Sequence, residues 1–136
     1  MQSVNDKEGP AVIFVDDEPE ILDILKDIFQ DAPYRVECYA RGRDVLRRTD
    51  QSPVLAIICD LYLGDLSGLE VLRHFQETHP QTHRVLMTGY LDEEQEDRAR
   101  KSQVFHQLIP KPWDIYGLRK QVDRIVMSHS QDLEAL

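Results

Sequence analysis

Short apolar segments alternate along the whole chain with segments whose apolar residues follow helical spacing. Two of the apolar segments, Ala11–Val15 and residues 54–59, are continuous, which is typical of strands buried on both faces of a sheet. Three weaker segments predict further strands at 34–38, 84–87 and 104–109. The pattern therefore predicts five strands.

Helices are predicted between and after these strands. Following the first strand, Leu22, Leu25 and Phe29 lie on one face of a helix, and Pro19 stands in its first turn, where proline is tolerated. Helices are also predicted at 41–49, 91–102 and 115–126, and a further helix that contains Leu69, Leu72 and Phe75 is predicted to end before Pro80. Five alternating units with short connections require parallel strands joined by crossovers, which is an α/β sandwich.

The length of the chain, 136 residues, suits one domain. Its net charge of −9 argues against binding to nucleic-acid phosphates or to an anionic membrane. No apolar segment approaches the ~20 residues of a membrane helix, and the first residues lack the pattern of a signal peptide, so we expect a cytoplasmic protein. We interpret residues 1–9 as an N-terminal extension, 10–127 as the domain and 128–136 as a C-terminal tail or the start of a linker.

Polar residues follow four of the five predicted strands. Asp16 and Asp17 come after the first strand, Asp60 after the third, Thr88 after the fourth and Lys111 close behind the fifth. Because the carboxyl ends of parallel strands meet at one edge of a sheet, we expect these side chains to lie together. Clustered carboxylates take up protons or hold a cation, and a set of hard oxygen ligands favours Mg²⁺. Solvated turn residues are the alternative for any one of them, but their occurrence at four strand ends favours a site.

Four motifs at these strand ends resemble those of the response-regulator receiver domains of two-component signalling. They are FVDDEPEIL at 14–22, CDLYLGDLSGLEVL at 59–72, MTGY at 87–90 and PKPW at 110–113. The resemblance covers roughly residues 10–127. It implies a flavodoxin-like (βα)5 three-layer sandwich whose parallel five-stranded sheet has the order 2-1-3-4-5.

The resemblance also implies a metal site and a phosphoacceptor. Asp60 would accept the phosphoryl group, and Mg²⁺ would be held by Asp16, Asp17, Asp60 and the backbone carbonyl of Tyr62. No other cofactor is implied. The same resemblance makes the chain a signalling phosphoacceptor, with self-catalysed phosphorylation and dephosphorylation as an option, rather than an enzyme.

Two further residues would contact the phosphoryl group in this scheme. Thr88 would donate a hydrogen bond to one of its oxygens, and Lys111, in a Lys111–Pro112 peptide expected to be cis, would pair with it. The donor would be a sensor histidine kinase or a histidine phosphotransfer protein. The face formed by the fourth helix, fifth strand and fifth helix would then control an output domain or a target protein. A homodimer through the 91–127 face is left open.

The implied strand order separates the two cysteines. Because strand 1 lies between strands 2 and 3, Cys38 and Cys59 should be about 10 Å apart, beyond the reach of about 7 Å of a disulfide. We therefore predict two free thiols.

Some positions depart from the family pattern. Leu108 stands three residues before Lys111, where many receivers carry an aromatic residue whose inward movement accompanies activation. This departure supports the alternative of an interaction-only receiver-like adaptor that phosphorylation does not control. A haloacid-dehalogenase-type phosphatase is disfavoured, because its second aspartate would fall at Tyr62. The rings of Tyr62 and Tyr90 are hypothesised to shield the phosphoryl group, with plain loop cover as the alternative.

Other polar groups receive a structural interpretation. Arg41, Arg43, Arg47 and Arg48 form a basic patch that we interpret as a solvated helix face, with contact to an acidic partner as the alternative. The five histidines show no paired spacing and are interpreted as structural or exposed. The helix predicted at 91–102 has few apolar residues, so we expect it to be locally unstable.

Overall fold

The computed structural model describes residues 2–49, 52–89 and 91–134. Its strands are β1 Ala11–Val15, β2 Arg35–Tyr39, β3 Val54–Asp60, β4 His83–Thr88 and β5 Gln107–Pro110. Its helices are α1 Pro19–Phe29, α2 Gly42–Leu46, α3 Gly68–Thr78, α4 Glu93–Lys101 and α5 Ile115–Glu134. All strand pairs are parallel, and the order β2-β1-β3-β4-β5 is the predicted flavodoxin-like order. None of the described helices is long and apolar enough to cross a membrane.

The sheet is buried on both faces, which explains its continuous apolar strands. In β1, Val12 and Phe14 belong to the apolar core that contains α1 and α5 residues. Their neighbours Ile13 and Val15 belong to the core on the other face, together with residues of α3 and α4. The central strand β3 is buried along its full length. Both layers of helices therefore rest on a sheet with no solvent-facing side at its centre.

Local sequence signals set the first residues of the helices. Pro19 stands at the first position of α1, where its missing N–H is not needed. In α3, the Ser67 side chain and Glu70 form a reciprocal capping box. Asp92 and Gln95 do the same for α4. Such caps satisfy backbone N–H groups that the first turn leaves without a helical partner.

Three elements differ from the sequence prediction by more than two residues at one end. The fifth strand begins at Gln107 rather than at 104, because the Val104 carbonyl accepts a hydrogen bond from Arg84 Nε at 2.8 Å. Helix α2 is shorter than predicted and spans only Gly42–Leu46. Helix α5 continues to Glu134, although residues from 128 on were predicted to be a tail or linker; no glycine or proline interrupts 118–134.

The residues before β1 pair with β2. Val4 N–H donates to Val36 O at 2.8 Å, and Cys38 N–H donates to Gln2 O at 2.9 Å. Val4 also packs against the core on the α1 face. This part of the predicted N-terminal extension is therefore docked on the domain.

Both cysteines are buried free thiols, as predicted. Strand β1 separates them, since Phe14 pairs with Cys38 on one side and Val15 pairs with Cys59 on the other. Burial raises the pKa of Cys38 to about 12 and also raises that of Cys59. Both thiols are therefore protonated and unreactive at neutral pH.

Candidate functional site

Three carboxylates converge at the carboxyl edge of the sheet. Asp16 directly follows β1, Asp60 is the last residue of β3, and Asp17 lies beside them on the exposed side. One oxygen from each of the three lies within 4.8 Å of the others. Asp16 is fully buried and Asp60 is 6% exposed. The sequence prediction that these aspartates lie together is confirmed.

A single ammonium group bridges two of the carboxylates. Lys111, which follows β5, places Nζ 2.7 Å from Asp16 Oδ2 and 3.1 Å from Asp60 Oδ2. The ammonium offsets part of the negative charge of three neighbouring carboxylates. The site therefore keeps an excess of negative charge, which a divalent cation would neutralise.

The electrostatics of Asp60 and Lys111 are coupled. Burial raises the pKa of the Asp60 carboxyl, Lys111 opposes that rise by its charge and hydrogen bond, and the charge of Asp16 adds to it. Burial would lower the pKa of Lys111, but its contacts with Asp16 and Asp60 outweigh this effect and raise it. Lys111 therefore remains a cation at neutral pH and keeps a positive charge beside Asp60.

Thr88 and Lys111 are held in place by the end of the sheet. Thr88 is the last residue of β4 and is buried. Its carbonyl accepts a hydrogen bond from the backbone N–H of Lys111 at 2.7 Å. The Lys111–Pro112 peptide is cis, as predicted. The backbone thus fixes the hydroxyl-bearing and ammonium-bearing residues side by side.

The loop between β3 and α3 closes one side of the site. Gly68 packs so tightly that a Cβ atom there would lie 2.0 Å from the Asp60 carbonyl oxygen. Asp65 accepts hydrogen bonds from the backbone N–H groups of Gly42 and Arg43, and these contacts, that of Arg43 first, lower its pKa. Tyr62 pairs with Ser67 in an isolated bridge. The loop is therefore anchored both to α3 and to α2.

A comparison with protein families identifies the family to which the fold belongs. The family model for the response regulator receiver domain matches residues 12–123. The chain belongs to the response regulator receiver domain family. The matched range contains residues of all five strands and includes Asp16, Asp17, Asp60, Thr88 and Lys111. Response regulator receiver domains are signalling phosphoacceptors rather than enzymes in the ordinary sense.

Curated relatives of this receiver domain are longer regulatory proteins. The hydrogenase transcriptional regulatory protein HoxA of Cupriavidus necator is 30% identical over 110 residues, which are 81% of this chain and 22% of that protein. The transcriptional regulatory protein ZraR of Escherichia coli K12 is 23% identical over 124 residues, 91% of this chain and 28% of its own. The receiver domain therefore spans about a quarter of the length of these relatives.

A solved structure agrees with the fold. The BeF3-activated receiver domain of DrrB, a Thermotoga maritima response regulator, has a TM-score of 0.76 and 26% identity. The similarity covers 88% of this chain and 99% of that chain.

The residues at which the sequence departs from the receiver pattern, or which were expected to shield the site, lie as follows. Leu108 is half-buried and packs against the core on the α4 face, so no aromatic ring occupies its position. Tyr62 is 58% exposed, and its hydroxyl accepts a hydrogen bond from Gln95 Nε2 of α4 at 3.2 Å. Tyr90, the other ring of the shielding hypothesis, lies outside the described residues.

The basic patch was partly misinterpreted from the sequence, whereas the histidine contacts agree with a structural role. Arg48 is not on a solvated face, because it is buried and donates two hydrogen bonds to Glu37, at 2.9 and 3.0 Å. The rings of His83 and His106 stack at 4.8 Å, and His129 lies 4.7 Å from His83. These contacts join residues that are distant along the chain, so no spacing rule reveals them.

Proposed function

We propose that this receiver domain accepts a phosphoryl group on Asp60 from a phosphohistidine. The donor is a sensor histidine kinase or a histidine phosphotransfer protein. The observation that carries the proposal is the position of Lys111 Nζ, 3.1 Å from Asp60 and 2.7 Å from Asp16, beside a third carboxylate. A carboxylate with one adjacent cation and an acidic pair is suited to phosphoryl transfer, which needs positioning and charge neutralisation more than covalent assistance.

In this reaction the Asp60 carboxylate attacks phosphorus while the phosphorus–nitrogen bond of phosphohistidine breaks. The electron pair of that bond returns to the imidazole, and an acyl phosphate forms on Asp60. The Lys111 ammonium pairs with a phosphoryl oxygen, and the Thr88 hydroxyl donates a hydrogen bond to another. Hydrolysis of the acyl phosphate returns Asp60 to its carboxylate.

The carboxylates fit a magnesium ion. Asp16, Asp17 and Asp60 each offer one oxygen within 4.8 Å of the others, and no soft ligand stands among them. These three side chains and the backbone carbonyl of Tyr62 would hold the ion. When bound, Mg²⁺ supplies the positive charge that the transferred phosphoryl group needs.

The output of the switch lies on the α4, β5 and α5 face. Phosphorylation changes this face and thereby controls an output domain or a target protein in the cytoplasm, with a homodimer as one form it can take. The names of HoxA and ZraR describe transcriptional regulators, and three quarters of each protein lies outside the matched segment. We assign neither nucleic-acid binding nor membrane binding to the domain itself, since its net charge is −9.

Leu108 favours a second function, that of an interaction-only receiver-like adaptor. In this role the carboxylate cluster persists, but a partner rather than a phosphoryl group changes the α4, β5 and α5 face. The absence of a ring at position 108 removes the usual link between Thr88 and that face. A measurement of phosphorylation decides between the two functions.

The deciding experiment is intact-mass analysis after incubation with acetyl phosphate and Mg²⁺. We expect one phosphoryl group on the wild type and none on Asp60→Asn. The matched control is Asp23→Asn, an exposed carboxyl on α1 outside the site, which should be labelled like the wild type. Mg²⁺ binding is measured separately by isothermal titration calorimetry. Mg²⁺ binding without labelling of the wild type would favour the adaptor, and labelling of Asp60→Asn would exclude Asp60 as the acceptor.

A further inference from the structure

Three arginines next to the site have no carboxylate partner. Arg41, Arg43 and Arg47 are exposed, and the described part of the chain offers none of them an acidic oxygen within 4.0 Å. The cations of α4 differ, because each is paired with a carboxylate one turn earlier. Those pairs are Glu94–Arg98, Glu96–Arg100 and Asp97–Lys101. The arginines around α2 are therefore available to bind an external anion.

These arginines line a groove that borders the carboxylate cluster. The groove has a volume of about 560 Å³, and its other wall includes Asp17 and Gly64. Gly64 lies close to Asp17, since a Cβ atom at Gly64 would be 3.8 Å from Asp17 Oδ2. We call this cavity the arginine groove. A partner that occupies it also lies beside the site that contains Asp60.

The groove also contains three aspartates, Asp17, Asp44 and Asp65, and none of them forms an ion pair with an arginine of the groove among the described residues. Asp65 lines the groove, but its two carboxylate oxygens accept hydrogen bonds from the backbone N–H groups of Gly42, Arg43 and Leu66. Its charge is thus directed at the backbone rather than at a guanidinium group. Asp44 is exposed on α2 and forms no ion pair with a described residue.

The composition of the groove selects the chemical class of its ligand. Guanidinium groups bind carboxylates through paired hydrogen bonds. Ala40 is the single hydrophobic side chain among the eight residues that line the groove, and none is aromatic, so the groove offers no large apolar surface to a ligand. Because the chain carries a net charge of −9, an acidic protein is repelled by most of its surface and is attracted at these arginines.

We propose that the arginine groove binds an acidic segment of the protein that docks over Asp60 as the phosphodonor. This inference rests on the proposed function, since the donor must approach the edge of the sheet that carries Asp60. The arginines then contribute to recognition of the donor and to its rate of association, and not to the chemistry. Small phosphodonors, which lack such a segment, do not use the groove.

The test is titration of ¹⁵N-labelled receiver domain with acetylated hexaglutamate in the presence of Mg²⁺, followed by NMR. We expect saturable amide shifts confined to residues 40–47 and 64–66, and their loss when salt is raised. The triple variant Arg41→Ala/Arg43→Ala/Arg47→Ala should bind at least about tenfold more weakly. The control variant Arg98→Ala/Arg100→Ala/Lys101→Ala removes the same charge from α4 and should bind like the wild type. Hexaglutamine should give no shifts.

The opposite results would overturn the proposal. Shifts that persist in the Arg41, Arg43 and Arg47 variant, or that centre on α4, would show that the acidic peptide binds outside the arginine groove. The absence of saturable shifts would show that the domain does not bind the peptide. Equal occupancy by inorganic phosphate at the same concentration would show a simple anion site instead of a peptide site. Acetyl phosphate labelling of this variant should match the wild type. If the wild type is not labelled at all, the proposed function fails, whereas the peptide titration still reports on the groove.

Discussion

Position 68 requires glycine because of close packing rather than backbone torsion. A Cβ atom at Gly68 would lie 2.0 Å from the carbonyl oxygen and 2.9 Å from the carbonyl carbon of Asp60. The Gly68 N–H also donates to Leu61 O at 2.7 Å, which holds the loop against the end of β3. The backbone of the candidate phosphoacceptor is therefore positioned by direct contact with the first residue of α3.

We expect Gly68→Ala to lower the free energy of unfolding by about 1–3 kcal/mol, because a backbone carbonyl cannot move aside as a flexible side chain can. Urea unfolding measures this change. Gly89→Ala is the matched control, since a Cβ atom there meets nothing within 4 Å. Its unfolding free energy should stay within about 0.5 kcal/mol of the wild type. Equal effects of the two substitutions would contradict the role of close packing.

The sequence alone predicted that the site residues lie together, but it did not predict the tertiary contacts of other polar side chains. Asp16, Asp60 and Lys111 follow strand ends, and parallel strands place such positions at one edge. The burial of the Arg48 side chain depends on the hydrogen bonds that it donates to the carboxylate of Glu37, a residue of β2. A contact of this kind leaves no periodic signal in the sequence.

Helix α4 is attached to the domain by few apolar contacts. Ala99 is its one buried residue within 93–101, whereas α1 buries Leu22, Leu25 and Phe29. Its three ion pairs are all exposed, and pairs of this kind stabilise a helix by only about 0.2–0.5 kcal/mol each. The stability of α4 therefore depends mainly on its capping box and on the Gln95–Tyr62 contact.

We expect the amides of α4 to exchange with solvent through local opening, well before those of α1. The physical reason is that opening α4 exposes little apolar surface. Hydrogen exchange followed by NMR or mass spectrometry measures both helices in the same sample. Protection of α4 equal to that of α1 would refute this expectation.

At the level of elements, the sequence predicted every strand and helix, and it erred at their ends. The strong apolar segments of β1 and β3 were placed to within a residue, because burial on both faces leaves a continuous signal. Errors arose where a tertiary contact replaced the local one, as at Val104, whose carbonyl bonds to the Arg84 side chain. Ile115 followed the apolar spacing of α5 but is 45% exposed, because it stands in the first turn, ahead of the core contacts of Leu118.

At the scale of the whole molecule, the two ends of the sheet carry different kinds of ionisable side chain. The carboxyl ends of the strands carry the aspartates, whereas the opposite end gathers histidines and a buried arginine. Arg84 is 6% exposed and donates to the carbonyls of Val104 and Thr82, with no carboxylate partner among the described residues. His83 and His106 stack beside it, and burial is the main cause that lowers the pKa of each ring. Both rings therefore favour the neutral form.

We expect the free energy of unfolding to fall as the pH decreases below about 6.5. The pKa values of His83 and His106 are lower in the folded chain than the ordinary 6.5, so the unfolded chain binds more protons in this range. The stabilisation is complete above pH 6.5 and is lost as the pH falls towards the folded pKa values. Each histidine contributes a slope of at most about 1.4 kcal/mol per pH unit. Urea unfolding at pH 7.5, 6.5 and 5.5 measures the loss.

A histidine substitution separates the pH dependence caused by His83 and His106 from general acid unfolding. His83→Gln should reduce the pH dependence, because it removes one of the two rings and keeps a partner for Gln107. An unchanged slope in His83→Gln would assign the pH dependence to other groups.

The pairing of residues 2–5 with β2 has a consequence for the behaviour of shortened chains. Removal of these residues would leave Cys38 N–H and Val36 O without partners on the outer edge of the sheet. A row of unpaired backbone groups on an edge strand is a template for strand addition by another molecule. A chain that starts at residue 10 should therefore self-associate at concentrations at which the longer chain stays monodisperse.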